Sequence, residues 1–536
     1  MEFDLNIGIL DLVVIGVYLV LIVGLGCWAG WTQRRKTEGS GYFLAGRSLT
    51  WPIIGLALFS TNISTIELVS LAEEGYKSGL VYGNLEWMAA VTLVILAIFF
   101  VPFYIRSRVT TLPDFLQKRY NNKCRIFHVV IVIISAIFIH MGFALFAGAK
   151  VLEGLFGMDI MISITLILAL TGLYTVVGGL KAVVLTEAIQ TVVLIGGSVI
   201  MTVIGFQKVG GWEGLKGSVD SGMLTMLRST EESPDMSWHS VFLGYPIIGI
   251  WYWCTDQTIV QRVLGAKDEQ HARVGAIFAG FIKILPVFIF VMPGLICLAL
   301  IKQGILPDTL DDTAKTYAFL VANILPVGVK GIVVAAMLAA LMSTVSGALN
   351  SIATVFCYDI YKMLKPEASD RKLVTVGRIT TLIAMVLAIL WAPQISKFGS
   401  ILEGNTAMIC YIAPGITTVF LGGVMWKRAS ARGAFITLCA GTVMGFVVFL
   451  LDWFNEITGW EYSFMMASFW LFLICSAILI GTSLIFPQKQ TAEIDNLVWK
   501  NPIEALRNPG WKGVLNYKFL SALLLATMIV LYMIFD

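Results

Sequence analysis

Apolar residues recur along the chain in blocks of roughly 20, the length a helix needs to cross a hydrocarbon core of about 30 Å. Within the first block, Tyr18 to Gly26 carries no polar side chain except the tyrosine itself. A chain that is 58% hydrophobic and only 13% charged has more apolar surface than a water-soluble core hides, because soluble domains are about a quarter charged. Its blocks lack the period-two alternation of a lipid-facing strand, which argues against a porin-like barrel. The chain therefore reads as an all-α membrane protein, a single membrane domain of about fourteen spans. These are centred near residues 21, 60, 93, 138, 168, 196, 250, 288, 347, 382, 410, 442, 474 and 525. Starting the first span outside puts Arg34 to Lys36, residues 106–125, 262–273 and 362–378, and Lys427 to Arg432 on the cytoplasmic side, the positive-inside arrangement. The opposite connections, 208–238 and 303–329, hold few basic residues beside several acids. With this count both termini lie outside.

Composition also narrows function. The acidic opening MEFDLNIGILDLVV lacks a positive leader region and a cleavage site, so the first helix is expected to be retained. The eight cysteines are scattered singly with no metal-ligand spacing. The four histidines, His128, His140, His239 and His271, are dispersed as well. Without a metal-ligand cluster, a Ser/His pair or a GxxxxGK[ST] phosphate loop, neither an enzyme nor an ATP-driven pump is expected, and no cofactor. The polar stretch Pro487 to Gly513, with Asn-Pro steps at Pro502 and Pro509, reads as a cytoplasmic connection; a regulatory role for it stays open.

Chemistry is expected where the spans stop being apolar. Ser60-Thr61-Asn62-Ile63-Ser64-Thr65 interrupts the second span. Either the helix unwinds there, exposing carbonyls that coordinate an ion as in transporters, or the hydroxyls only pack against neighbouring helices. Ser343 and Thr344 put adjacent hydroxyls inside the apolar ninth span, and a hard cation such as sodium needs several such oxygens. Glu86 and Lys283 lie within spans and must face the interior, because a charge meeting lipid costs at least about 2.5 to 3.5 kcal/mol. They are either solute ligands or a structural ion pair. Glu67 lies about a turn beyond the interruption, Glu403 lies in the polar stretch Ser400 to Thr406, and Lys150 is expected to snorkel at a helix end. The seventh span ends in Trp251-Tyr252-Trp253-Cys254-Thr255-Asp256-Gln257, whose aromatics are either a solute-stacking gate or an interfacial belt.

On these residues the sequence resembles the sodium/solute symporter family, and within it the sodium/glucose cotransporter branch. The motifs that carry the resemblance are YFLAGRSL from Tyr42, STNIS from Ser60, EWMAA from Glu86, TLPDFLQKRY from Thr111, LYTVVGGLKAVVLTEAIQ from Leu173, WYWCTDQTIVQR from Trp251, LPVGVKG from Leu325 and LNSIAT from Leu349. The resemblance implies a LeuT-type core of two inverted five-helix repeats, at 45–210 and 238–428, after a leading helix (1–44) and before trailing helices (429–536). It implies sodium held by the carbonyls of Ser60, Ile63 and Ala340 and the hydroxyls of Ser343 and Thr344. It places a monosaccharide such as glucose or galactose near Asn62, Glu86 and Lys283, with Tyr252 as inner gate and Trp253 beside it. Glu67 and Thr406 stand where the family often has other sugar contacts, and Leu85 and Leu402 where it can have outer-gate aromatics. A second cation site would use Glu187 and Ser346, but Gly347 lacks the further hydroxyl found in some members, so one sodium per cycle is expected. The implied protein is a multi-pass cell-membrane symporter for which a monomer suffices. Another polyol or sugar acid such as inositol or sialic acid, proton coupling, and a non-concentrating sugar sensor are the alternatives.

Overall fold

The computed structural model describes residues 7–33, 42–308, 310, 312–397, 401–489 and 491–536, the side chains of Lys397, Leu402 and Glu403 excepted. The expectations placed on Arg34 to Lys36 and on Ser400, Leu402 and Glu403 lie outside the described residues. Regular structure in the described residues is helical apart from two isolated bridges, Leu49 with Ala266 and Arg228 with Ser237. The principal helices are α1 (Ile9–Gln33), α2 (Trp51–Asn62), α3 (Thr65–Ser78), α4 (84–106), α5 (122–156), α6 (Ile160–Lys208), α7 (240–255) and α8 (Gln257–Leu264). They continue with α9 (Glu269–Lys302), α10 (Val329–Leu364), α11 (Asp370–Trp391), α12 (Ile401–Met425), α13 (Ala431–Trp453), α14 (Phe464–Ile485) and α15 (Tyr517–Ile534).

Among the described residues, eleven helices are long and apolar enough to cross a bilayer, fewer than the expected count of about fourteen. The shortfall arises where spans are interrupted or fused. Helix α6, at 49 residues, is more than one crossing needs and turns at Gly179, whose φ is +60°. A side chain there would also meet the Tyr42 carbonyl at 2.5 Å. The pieces α2 and α3, and likewise α7 and α8, are separated by extended residues, and α3 runs on towards α4 through Gly79 at φ +75°.

Local chemistry sets both breaks. Ser64, extended at ψ 179°, accepts a hydrogen bond from Ile66 N while Glu67 accepts one from Ser64 N at 2.7 Å, a reciprocal capping box that starts α3 afresh. Asp256, at ψ 126°, caps α8 by accepting from Thr258 N at 2.7 Å and Ile259 N at 3.3 Å. A third irregularity lies in α9, where Pro286 cannot donate a backbone hydrogen bond and the chain turns at Lys283 and Ile284. Trp87 Nε1 donates to the Ile284 carbonyl at 3.2 Å, satisfying that carbonyl from outside the helix.

Helix α10 is the axis of the bundle: 94% of its apolar window is buried, against 22% for α1 and α15. The leading helix is nevertheless anchored. Asp11, fully buried, accepts from Gly328 N and Gly331 N at 2.7 Å each and so caps the start of α10 from another helix. On the face bearing most of the arginines, Arg119 donates to the carbonyls of Gly423, Trp426 and Ala429 at the end of α12. The connection between α14 and α15 packs onto this same face. Trp499 Nε1 donates to Phe99 O at 3.1 Å, Trp499 N to Val424 O at 2.9 Å, and Asn508 to Glu269 at 2.9 Å.

Candidate functional site

The end of α2 lies against the middle of α10. A helix end leaves its last carbonyls without intrahelical donors, and Ile63 and Ser64 leave the helical conformation just after Asn62. Ser343 Oγ donates to Ser60 O at 2.7 Å and to Ala340 O at 2.8 Å, and Thr344 Oγ1 lies 3.3 Å from both Thr61 O and Ala340 O. Five oxygens of five residues thus converge where the break meets α10. Four of the five expected sodium ligands, Ser60, Ala340, Ser343 and Thr344, are brought together by these bonds, with Thr61 added. Ile63 sits at the break with its N–H on Phe59 O at 3.0 Å, and no hydrogen bond joins its carbonyl to the group among the described residues. The hydroxyls of Ser60 and Thr65 are buried without partners among the described residues, an unsatisfied polarity that marks the neighbourhood of the break.

A second cluster starts at Asn62, the last residue of α2. Lys283 forms an ion pair with Glu86 and donates to Asn62 Oδ1, while Asn62 Nδ2 donates to Tyr252 OH at 3.2 Å. Lys283 Nζ lies 5.6 Å from the centre of the Trp253 ring and 5.9 Å from that of Phe59, inside cation–π range. The Trp253 and Tyr252 rings meet edge to face at 5.2 Å. Within the cluster Glu86 and Lys283 are 4% and 1% exposed, whereas Asn62 and Tyr252 are partly exposed. Together it offers a carboxylate acceptor, an ammonium donor, an amide and a phenol with both capacities, and two aromatic faces, which is the inventory a polyhydroxy solute requires.

The other expected residues are placed differently. Glu67 makes its hydrogen bonds to Ser64, serving the break, and none to Asn62, Glu86 or Lys283. Thr406 is half-buried on α12 with no hydrogen bond to the cluster. Glu187 forms a fully buried ion pair with Arg262 of α8, whose Nε lies 3.2 Å from Glu187 Oε2. Ser346 Oγ donates to Ser343 O at 3.0 Å. A guanidinium therefore occupies the environment considered for a second cation. Lys150, half-exposed, pairs with Glu153 at 2.7 Å.

Several participants escaped the sequence reading. Phe59 looks like any apolar residue until Lys283 stands beside it. Arg262 lies in a run read as a cytoplasmic loop, yet it is fully buried. His140 lies 3.1 Å from Asp256, its partner 116 residues along the chain. A histidine inside an apolar block and an aspartate closing an aromatic run were the available signals, and their separation hid the pairing.

The sodium:solute symporter family matches this chain over residues 42–441. The sodium/glucose cotransporter 4 of Danio rerio is 36% identical over 472 residues, covering 82% of this chain and 72% of that protein. The sodium/glucose cotransporter 1 of Mus musculus is 35% identical, covering 81% and 70%, and a sodium/mannose cotransporter of Bos taurus is 33% identical, covering 92% and 89%. Among solved structures, a Na⁺-coupled sialic acid symporter in its substrate-bound outward-open state superposes with a TM-score of 0.77 at 22% identity, covering 90% of this chain and all of that one. A nucleobase-cation-symport-1 family transporter superposes with a TM-score of 0.50 at 15% identity, covering 86% and 98%. The fold is the LeuT type, in a multi-pass membrane protein.

Proposed function

Because this chain belongs to the sodium:solute symporter family, a family of transporters and not of enzymes, we propose that it couples sodium entry to import of a monosaccharide, glucose or galactose in the first instance. The observation that carries the proposal is the seating of Ser343 and Thr344 on carbonyls released at the break of α2. Sodium binds there, held by the carbonyls of Ser60, Ile63 and Ala340 and the hydroxyls of Ser343 and Thr344, and joins α2 to α10. The sugar binds on Asn62, Glu86 and Lys283, exchanging the bonds these groups now make with one another for bonds to its hydroxyls. Tyr252 closes the site below it and Trp253 supports the ring. Glu67 acts by fixing the break that presents Asn62, and Thr406 borders the sugar from α12.

Coupling follows from Asn62 standing next to Thr61 at the end of α2. An ion that fixes the end of α2 also fixes Asn62, so the arrangement favoured by sodium is the one that binds sugar. A ligand shifts an equilibrium only by its differential affinity for the two states, and the shared end of α2 supplies that difference. The pairing of Glu187 with Arg262 supports one sodium per cycle, hence a Hill coefficient of about 1 for sodium. The sugar identities of the relatives named above support a hexose. A sodium-dependent thermal-stabilisation screen of hexoses, inositols and sialic acids ranks the candidates.

The direct test is uptake of labelled glucose by proteoliposomes under an inward sodium gradient. Uptake is expected to concentrate the sugar, to stop when potassium replaces sodium, and to need at least tenfold more sodium in Ser343→Ala, a loss of about 1.4 kcal/mol. Wild-type uptake indifferent to sodium would sink the proposal.

A further inference from the structure

A second buried pair lies at the break in the other interrupted span. His140 Nε2 is 3.1 Å from Asp256 Oδ2, and the two side chains are only 9% and 3% exposed. Both residues sit where regular helix fails. Asp256 separates α7 from α8, and its other oxygen, Oδ1, caps α8. His140 lies in the π-helical turn Ser135–Met141 of α5, a local widening often found at functional positions. Its ring lies parallel to Trp251 at 6.4 Å and edge-on to Tyr252 at 6.0 Å. Since Tyr252 accepts from Asn62, one imidazole touches the break through Asp256, the gate through its ring, and the solute cluster through one intervening phenol.

Resting on the symporter reading above, we propose that His140 and Asp256 form a proton-binding site that controls the Tyr252 gate. Histidine is the side chain whose charge ordinarily changes near neutral pH. Protonation turns a bond between a neutral imidazole and a carboxylate into an imidazolium–carboxylate ion pair, the stronger of the two where water is excluded. The stronger bond ties α5 to the break and with it holds Trp251 and Tyr252 in the shut arrangement. Loss of the proton loosens that tie. The proton is thus a ligand of the closed gate, and acid slows opening.

The titratable and charged groups around the pair come from each neighbouring element. They are Tyr252 on α7, His128 earlier on α5, Glu67 on α3, and Glu86 with Lys283 beyond Asn62. The helices packed on the far side of the π turn, α10 and α11, carry their charges at Lys330, Asp359 and Lys362 and at Asp370, Arg371, Lys372 and Arg378. Within this set His140 is the group joined directly to Asp256.

The test is sodium-driven sugar uptake in proteoliposomes with equal pH on both faces, varied from about 5.5 to 8.5 to bracket histidine titration. Wild-type turnover is expected to fall roughly fivefold towards acid, as the bond to the Asp256 carboxylate becomes an ion pair. His140→Gln, neutral throughout, and His140→Lys, charged throughout, are both expected to give flat profiles, the lysine variant the slower. Should either fail to fold, Asp256→Asn replaces it and is also expected to flatten the profile. Thermal unfolding across the same pH range gives a readout independent of transport, with a pH-dependent shift in the wild type that His140→Gln removes. A wild-type turnover independent of pH, or a profile unchanged in His140→Gln, overturns the proton site. Wild-type uptake that ignores sodium overturns the symporter reading instead, and the unfolding series still judges the pair.

Discussion

Gly347 shows how much a single residue decides here. Read from the sequence, it is a missing hydroxyl in a would-be second cation site; in three dimensions it is room for Arg262. A side chain at 347 would meet Arg262 Nη2 at 2.6 Å, Thr61 Cγ2 at 3.0 Å and Glu187 Oε1 at 3.4 Å. Helix propensity alone would favour alanine by about 1 kcal/mol, but the methyl pushes the guanidinium off Glu187, and parting a buried ion pair costs about 3 to 5 kcal/mol. Gly347→Ala should therefore destabilise by roughly 2 to 4 kcal/mol, read as a lowered midpoint of thermal unfolding in detergent; a midpoint at or above wild type would show that Arg262 relaxes without loss. At this scale the sequence was most legible where residue type alone is unusual for its depth, as at Glu86, Lys283 and the Ser343-Thr344 pair. It was least legible where two long-separated residues satisfy each other. Glu187 and Arg262, and His140 and Asp256, become meaningful only once the fold sets them side by side, because hydrogen-bond partners are chosen in space and leave no spacing along the chain.

Among the elements, the interruptions matter more than the helices. The polar run 60–65 points to a break by its residue types alone, and the Ser64–Glu67 capping box gives that break a mechanism: the chain starts a new helix three residues after the old one ends because the side chains of Ser64 and Glu67 each accept the other's backbone N–H. Glu67, expected as a solute contact, also helps to start α3. Ser64→Ala should cost about 1 kcal/mol of stability, the usual worth of an N-cap. It should also weaken sodium and sugar together, because the carbonyls of Ser60 and Thr61 and the amide of Asn62 are all positioned by where α2 stops. Isothermal titration of sugar at saturating and at low sodium separates these effects, and a variant that loses stability while keeping both affinities would show that the break is held from elsewhere. The span count was the less legible quantity. Apolar blocks register wherever a window is greasy enough, whereas continuous helices register only where the backbone is unbroken, and α2 with α3 and α7 with α8 are broken.

At the scale of the whole molecule, the connection between α14 and α15 ties together the ends of helices that carry the cluster around Lys283. Trp499 is the centre of the strap: it bonds to Phe99 O of α4 and, through its backbone, to Val424 O of α12, and its ring lies 4.6 Å from that of Phe103. Asn508 on Glu269 and Trp511 against His271 at 4.8 Å extend the hold to α9, and His271 in turn accepts from Trp51 N at the start of α2. Helices α2, α4, α9 and α12 are thus fastened at one end by a segment outside the bundle. Alternating access needs some of these ends to separate, so the strap lowers the free energy of the form closed at this face relative to the open one. Truncating a buried tryptophan to alanine costs about 3 to 5 kcal/mol where the cavity does not refill, and even half of that, spent on the closed form alone, enriches the open form by more than tenfold. Cys254, fully buried on α7 with its thiol towards Thr92 O, reports that opening without any engineered label site. Trp499→Ala should raise its rate of maleimide modification about tenfold, followed at the peptide level by mass spectrometry so that the other cysteines do not confuse the reading. An unchanged rate with a lowered unfolding midpoint would mean that the strap stabilises open and closed forms alike, and is then part of the scaffold and no restraint on the gate.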